Sequence, residues 1–173
     1  FLVMELLEGD SLRQVIGGGG LSAGKAVEYG KAIADGLAAA HDKRIIHRDL
    51  KPENVFLTKD GRIKILDFVL AKSVPADTTD GLRSGMQTET MATAAGIVVG
   101  TAGYMSPEQV RGERVDHRTD IFALGCVLFE FLAGRRAFSG ETGADVSSAI
   151  LTVVPPALAD VVSGVPPELS GIV

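Results

Sequence analysis

The chain has 173 residues, of which 46% are hydrophobic and 23% charged, and this composition is ordinary for a globular domain with one sizeable core. The formal net charge is −5, so no basic field points to a nucleic-acid partner. The single cysteine, Cys126, excludes an internal disulfide framework and a cysteine-based zinc site.

The longest apolar stretch begins at Ile121 and is interrupted by Glu130. It is too short to span a bilayer, so we predict a buried core helix there and no membrane segment within this chain. Both ends of the sequence resemble interior parts of a domain, because Phe1 opens in a strand-like run and Val173 follows a Pro-rich stretch. We therefore expect a fragment of a larger domain.

The first forty residues predict one strand and two helices. An apolar run predicts a buried strand over 1–7, and "EGDS" predicts a turn in which Asp10 or Ser11 caps a short helix, "LRQVI". "GGGG" at 17–20 is a helix breaker. From 22 to 41 the pattern is helical, and its spacing places four residues near one face: Val27, Ile33, Leu37 and Ala40.

The segment "GGLSAGKA" nearly spells a phosphate-binding P-loop. It ends in Ala26, where a serine or threonine would bind Mg²⁺, and no strand precedes it. We interpret it as a linker followed by the start of a helix.

Two short strands, "VFL" and "RIKIL", follow an irregular segment that contains Pro52. Asp60-Gly61 between them predicts a hairpin. Residues 73–100 are rich in Thr, Ser, Gly and Asp, and their apolar residues follow no helical or strand periodicity. This predicts a long functional loop. Helices are then predicted over 106–111, over 119–133 with Gly134 as a stop, and over 142–151.

Three polar residues stand next to apolar runs: Asp49, Asn54 and Asp67. The strand "VFL" leaves Asn54 and the strand "IKIL" arrives at Asp67, so antiparallel pairing brings these two side by side. Asp49 lies on the loop leading into the hairpin. Such oxygen donors suit Mg²⁺, and Lys51 is placed to approach a phosphate. Any one of them alone is better explained as a turn or cap residue, whereas the ordered set favours a metal and phosphate site.

Four motifs resemble those of protein kinases, in the order and spacing of that family. "HRDLKPEN" at 47–54 is similar to the catalytic loop, and "DFV" at 67–69 to the metal-binding Asp-Phe-Gly. "GTAGYMSPE" at 100–108 resembles the end of the activation segment, with Ser106 where alanine is commoner. "DIFALGCVLFEFLAG" at 120–134 resembles the long central helix of the C-lobe.

The resemblance implies an α+β protein-kinase-like fold, mainly the helical C-lobe with a small β-hairpin that carries the metal-binding residues. Residues 1–9 then form the hinge region, 10–173 a C-lobe cut before its last helices, and 67–108 the activation segment. The resemblance begins at the hinge, so the N-lobe is absent from this chain and is expected to precede Phe1.

The implied cofactors are ATP and Mg²⁺, and the implied partner is a protein substrate with a Ser or Thr hydroxyl. Asp49, Lys51 and Asn54 take the catalytic positions, and Asn54 and Asp67 hold the metal. His47 and Phe68 stack in the core, and Asp120 anchors the catalytic-loop backbone. The full nucleotide-binding set implied by the resemblance is Glu5, Leu7, Lys51, Glu53, Asn54, Phe56 and Asp67.

Lys51 and Thr101 resemble the serine/threonine subclass. Arg48 beside Asp49 resembles kinases that are switched by activation-loop phosphorylation. The candidate phosphate acceptors are Thr88, Thr90 and Thr93, and for each of them an ordinary polar loop is an equal alternative.

The sequence after residue 134 resembles bacterial serine/threonine kinases, which often carry a cytoplasmic kinase domain and a membrane or sensor segment elsewhere. Two alternatives stay open. Val69 replaces a glycine, and a β-branched residue resists backbone conformations that glycine tolerates, which favours an impaired pseudokinase acting by binding partners. A small-molecule phosphotransferase of kinase-like fold is less consistent, because those resemble "HGDLHPGN" and lack the "SPE" element.

Overall fold

A computed structural model of the chain describes residues 5–68 and 102–173. The predictions for residues 1–4, Val69, Thr88, Thr90, Thr93 and Thr101 fall outside these residues. Three short strands form one antiparallel sheet in the order β1-β2-β3: β1 (Gly9–Ser11), β2 (Val55–Thr58) and β3 (Ile63–Ile65). The helices are α1 (Leu12–Ile16), α2 (Ala23–His41), α3 (Pro107–Val110), α4 (Arg118–Ala133), α5 (Gly143–Thr152), α6 (Leu158–Val161) and α7 (Pro167–Ser170).

The core lies where α2 packs against α4. α2 presents a buried face that consists of Ala26, Tyr29, Gly30, Ile33 and Leu37. α4 is apolar almost all round, and ten of its sixteen residues are buried, as expected for a central core helix. Among the described residues, no helix is both long and apolar enough to cross a membrane.

All five predicted helices are confirmed, and several of them have the predicted caps. Ser11 caps α1 and Ser22 caps α2, so the P-loop-like segment is a helix start. Thr142 and Asp145 form the expected capping box on α5. Gly134 ends α4 with φ of 65°, a left-handed conformation that glycine adopts without strain.

The hairpin is also confirmed, and β1 adds a third strand to it. The N–H of Thr58 donates to the carbonyl of Arg62 at 2.9 Å, and Gly61 takes φ of 82° in the three-residue connection. This is the geometry of a hairpin whose turn ends in a left-handed glycine. The predicted α+β architecture with a small sheet is therefore confirmed.

Three local predictions were wrong. Residues 5–7 are not in a strand and Leu6 is 88% exposed, because backbone pairing begins only at Gly9. The turn predicted at 8–11 is mostly the strand β1. Val27 is 50% exposed, since the buried face of α2 passes through Ala26 and Tyr29 instead. The short helices α6 and α7 lie in the Pro-rich tail, where helices were not predicted.

The pairing of β1 with β2 depends on the missing side chain of Gly9. A Cβ atom at this position would lie 2.0 Å from the carbonyl oxygen of Leu57, and the φ of Gly9 is 148°. Both the clash and the backbone conformation exclude other residues.

We expect Gly9→Ala to lower the free energy of unfolding by more than about 2 kcal/mol, because it adds a backbone clash to the conformational strain. Gly61→Ala is the matched control. Gly61 has a positive φ in the connection between β2 and β3 but nothing within 4 Å of an added Cβ, so only strain of about 1 kcal/mol applies. Urea denaturation of the two variants measures the difference, and equal losses would contradict the role assigned to the clash.

Candidate active site

The side chains of Asp49, Lys51 and Asn54 form one hydrogen-bonded cluster. The Lys51 ammonium lies 2.7 Å from Asp49 Oδ2. The Asn54 amide nitrogen donates to the same oxygen at 3.1 Å and to the Asp49 carbonyl at 2.8 Å. Two donors thus hold one carboxylate oxygen, and among the described residues no hydrogen bond engages the other. Three members of the predicted set, Asp49, Lys51 and Asn54, are thus brought together.

Local backbone structure positions this cluster. Pro52–Asn54 form a single 3₁₀ turn, with Pro52 at a position where its missing N–H costs nothing. Leu50 and Pro52 are buried, and their burial fixes the position of the loop. Asn54 is only 7% exposed, so its hydrogen bonds to Asp49 satisfy a buried amide.

The hairpin brings Asp67 next to Asn54, as its register predicted. Val55 pairs with Ile65, and one step further the N–H of Leu66 donates to the Asn54 carbonyl at 2.8 Å. Asp67 follows directly. Its side chain is exposed, although the residues before it form an apolar run. Its φ of 60° is rare for a residue with a side chain and occurs mostly where surrounding structure enforces it.

The oxygen atoms present suit Mg²⁺. Asn54 uses its amide nitrogen toward Asp49, which leaves the amide oxygen as its acceptor. Asp67 contributes an exposed carboxylate one residue beyond the backbone bond that joins the two strands. Hard oxygen donors of this kind, few in number, fit a cation that takes its remaining ligands from phosphates and water.

His47 is a fully satisfied core residue. Its Nδ1 accepts from the Asp49 N–H at 3.2 Å, so the proton of the neutral ring is on Nε2, which donates to the Leu66 carbonyl at 2.7 Å. Its ring meets that of Phe68 edge to face at 4.7 Å. His47 thereby links the loop of Asp49 to the segment of Asp67. The contact with Phe68 that the resemblance implied is present, but it is edge to face rather than stacked, and Phe68 is half-buried.

Asp120, on the first turn of α4, anchors the loop backbone. Its carboxylate is 1% exposed and accepts from the N–H groups of His47 at 2.9 Å and Arg48 at 2.8 Å. His41, the last residue of α2, approaches the same carboxylate at 2.7 Å. Arg48 has φ of 68°, so Asp120 holds the loop in a conformation that costs energy without such support.

A second polar cluster surrounds Arg13, and the sequence did not predict it. The guanidinium contacts Glu53 Oε1 at 2.8 Å, Glu130 Oε1 at 2.6 Å and the Tyr104 hydroxyl at 2.5 Å. The Tyr104 hydroxyl also donates to Glu130. Burial opposes the charge of Arg13, but hydrogen bonds to Glu130 and Glu53 outweigh it and raise its pKa. The feature of the sequence that could have indicated this cluster is Glu130, a charged residue inside an apolar helix.

The remaining nucleotide-binding candidates lie in the sheet or in the segments just before its strands. Phe56 on β2 stands in register between Ser11 and Lys64. The carboxylate of Glu5 lies 2.8 Å from the Lys64 ammonium, which ties the segment before β1 to β3. Leu7 and Phe56 are half-buried. Glu53 is paired with Arg13 and its side chain is 40% exposed.

We expect Asp120→Asn to destabilise the protein by about 3 kcal/mol, because an amide offers one acceptor where the buried carboxylate offers two to the loop N–H groups. Asp116→Asn is the matched control. The carboxylate of Asp116 pairs with Arg118, which lowers the pKa of Asp116 to about 2, but the pair is exposed and its loss should cost at most about 1 kcal/mol. Urea denaturation compares the variants, and a similar cost for both would contradict the anchoring role.

Burial and the hydrogen bond with Glu130 raise the pKa of Tyr104 above its ordinary value near 10. The folded state therefore keeps this proton more tightly than the unfolded state. Its contribution to stability is full below about pH 10 and is lost as pH rises from there toward the folded pKa. We expect the unfolding free energy to fall less steeply above pH 10 in Tyr104→Phe than in the unmodified protein. Parallel slopes in alkaline urea titrations would contradict this.

Comparison with known proteins finds matches along most of the chain. The family model described as "Protein kinase domain" matches residues 1–161. Serine/threonine-protein kinase PknL of Mycobacterium tuberculosis is 36% identical over 100% of this chain, which covers 40% of that protein. Serine/threonine-protein kinase pkn2 of Myxococcus xanthus is 42% identical over 80% of the chain and 16% of that protein. PknA of Corynebacterium glutamicum is 37% identical over 99% of the chain and 34% of that protein.

The chain therefore spans less than half the length of these curated relatives. Its relatives are serine/threonine-protein kinases of bacteria, in agreement with the resemblance of the motifs. On the family match and on this identity across the whole chain, the protein belongs to the protein kinase family.

Proposed function

We propose that this chain carries the catalytic loop of a serine/threonine protein kinase, which transfers the γ-phosphoryl group of ATP to a Ser or Thr hydroxyl of a protein substrate. The observation that carries the proposal is the Asp49 carboxylate, one oxygen of which is held by Lys51 and Asn54. This arrangement orients a base while leaving its second oxygen for the incoming hydroxyl.

In the proposed reaction, Asp49 orients the substrate hydroxyl and accepts its proton as the oxygen attacks the γ-phosphorus. The bond between the γ-phosphorus and its bridging oxygen breaks, and ADP leaves. Lys51, 2.7 Å from Asp49, is close enough to contact the transferring phosphoryl group as a point charge. Such transfer depends mainly on positioning and on neutralising charge, so few groups are needed.

We assign Asn54 and Asp67 to Mg²⁺, which would neutralise the phosphate oxygens when bound. Backbone groups of Glu5 and Leu7 are proposed to meet adenine, with Phe56 packing against the ring. These residues flank one small sheet, which supports a shared nucleotide site. Glu53 is proposed to contribute to the same region, while its pairing with Arg13 fixes its carboxylate.

Regulation by phosphorylation is proposed through Arg48, together with Thr101 and the acceptors Thr88, Thr90 and Thr93. Among the described residues, the buried Nε of Arg48 has no hydrogen-bond partner. A buried guanidinium nitrogen suits a phosphate, which supplies both charge and acceptor oxygens. The kinase domain is proposed to be cytoplasmic in a longer parent protein.

Val69 favours a second candidate function, a catalytically impaired pseudokinase that acts by binding partners. It replaces glycine immediately after Asp67 and Phe68, where restricted backbone freedom would narrow the positions open to the aspartate. The small-molecule phosphotransferase is not favoured, because the relatives described above are named protein kinases.

We expect Asp49→Asn in the complete parent protein to lower the turnover of Mg-ATP-dependent substrate phosphorylation by about 10²- to 10⁴-fold, since it removes a general base. Mg-ATP affinity should stay within about threefold, because Asp49 is not among the assigned metal ligands.

Asp42→Asn is the control, since Asp42 is an exposed aspartate just after α2. Turnover of Asp49→Asn equal to that of the control would overturn the role of Asp49. A parent protein with no phosphoryl transfer at all would favour the binding-module alternative.

A further inference from the structure

Two helices in this chain begin with the same four-residue capping pattern, Ser-x-x-Gln. In α1, the Gln14 amide oxygen accepts from the Ser11 N–H at 2.9 Å and from the Ser11 hydroxyl at 2.8 Å, and Gln14 is exposed. In α3, the Gln109 amide oxygen accepts from the Ser106 N–H at 3.0 Å. Both are ordinary capping boxes.

The second capping box does something that a cap does not require. The Gln109 amide nitrogen donates to the carbonyl of Arg48 in the catalytic loop at 2.7 Å. The Gln109 amide oxygen also accepts from the Thr119 hydroxyl of α4 at 2.9 Å. Gln109 therefore joins α3, α4 and the catalytic loop through one side chain.

The direction of the hydrogen bonds follows from the donors available. Thr119 has one hydroxyl hydrogen, and it goes to Gln109. The bond between the Ser106 and Thr119 hydroxyls, at 2.5 Å, must then be donated by Ser106. Ser106 is 0% and Thr119 1% exposed, so water does not compete. The chain Ser106–Thr119–Gln109 ends on the Arg48 carbonyl, and bonds in such a chain strengthen one another.

The Arg48 carbonyl belongs to the peptide group that leads into Asp49. That peptide is held at both ends, because Gln109 donates to its oxygen and its N–H donates to His47 Nδ1 at 3.2 Å. Arg48 has φ of 68°, and relaxation of this residue would turn the Arg48–Asp49 peptide. A turned peptide would move the Asp49 carboxylate, and small misplacements of a reacting group reduce rates strongly.

We propose that Gln109 is a positioning residue for Asp49, and that Ser106 and Thr119 orient its amide so that the nitrogen faces the catalytic loop. The segment 102–110 thereby supports the catalytic loop directly. The kinetic consequence rests on the proposed kinase function, whereas the structural consequence does not.

The test uses Gln109→Glu in the complete parent protein. A carboxylate can still accept from the Ser106 N–H and the Thr119 hydroxyl, so the cap of α3 is kept. It cannot donate to the Arg48 carbonyl, so the contact with the catalytic loop is lost. Gln14→Glu is the matched control, because it makes the same change in the capping box that has no bond to the loop.

Two readouts are measured. Loss of one positioning bond is expected to lower kcat of Gln109→Glu by about tenfold, with KM for ATP within about twofold. Amide hydrogen exchange of the peptide spanning 47–54 is expected to rise by about tenfold in the same variant. Gln14→Glu should match the unmodified protein in both. Gln109→Glu should melt at a lower temperature than Gln14→Glu, because its Arg48 carbonyl has lost a donor and faces a carboxylate.

Unchanged kcat together with unchanged exchange at 47–54 in Gln109→Glu would overturn the proposal and leave Gln109 as a helix cap only. An equal effect in Gln14→Glu would also overturn it. If the unmodified parent protein shows no phosphoryl transfer, the proposed function fails while the exchange measurement still decides this inference: raised exchange at 47–54 supports it, and unchanged exchange overturns it.

Discussion

The active-site loop depends on one buried carboxylate. Asp120 is 1% exposed, and its carboxylate accepts hydrogen bonds from the backbone N–H groups of His47 and Arg48, the two residues before Asp49. A buried charge without partners would be costly, and the loop would not keep the positive φ of Arg48 without an anchor. The loop N–H groups are the partners that the buried Asp120 carboxylate needs, and this carboxylate is the anchor that the loop needs. The anchor is itself fixed because α4 is buried along most of its length and packs against α2.

The same helix carries a second buried carboxylate ten residues further on. At 1.5 Å per residue, Asp120 and Glu130 are separated by about 15 Å along the helix axis. Asp120 holds the backbone of the catalytic loop, whereas Glu130 and Arg13 hold Glu53 and Tyr104. The core helix α4 thus acts as a rigid spacer. Asp120 holds the start of the 47–54 segment, and Glu130 holds its end through Arg13 and Glu53.

Contacts of short range could be predicted from the residues themselves, whereas the long-range anchor between Asp120 and the loop was expected only from the family resemblance. The closeness of Asn54 and Asp67 follows from the register of one hairpin, and the caps at Ser11 and Thr142 follow from patterns three residues long. The contact between Arg13 and Glu130 joins positions 117 residues apart, and the charge of Glu130 inside an apolar helix does not indicate which residue is its partner. Periodicity also could not decide that Val27 is exposed, because only the partner of a helix determines which apolar residues face it.

The hydrogen bonds of Ser106 explain why a serine can stand here in place of the commoner alanine of the family pattern. Alanine is commoner at this position, and a buried hydroxyl without a partner costs about 1–3 kcal/mol. Here the hydroxyl donates to Thr119, whose own hydrogen goes to Gln109, whose amide reaches Arg48. Each buried group is satisfied only while the next one is present. The serine is therefore one member of a set whose far end supports the peptide next to Asp49, and removing any member leaves a buried polar atom of its neighbour unsatisfied.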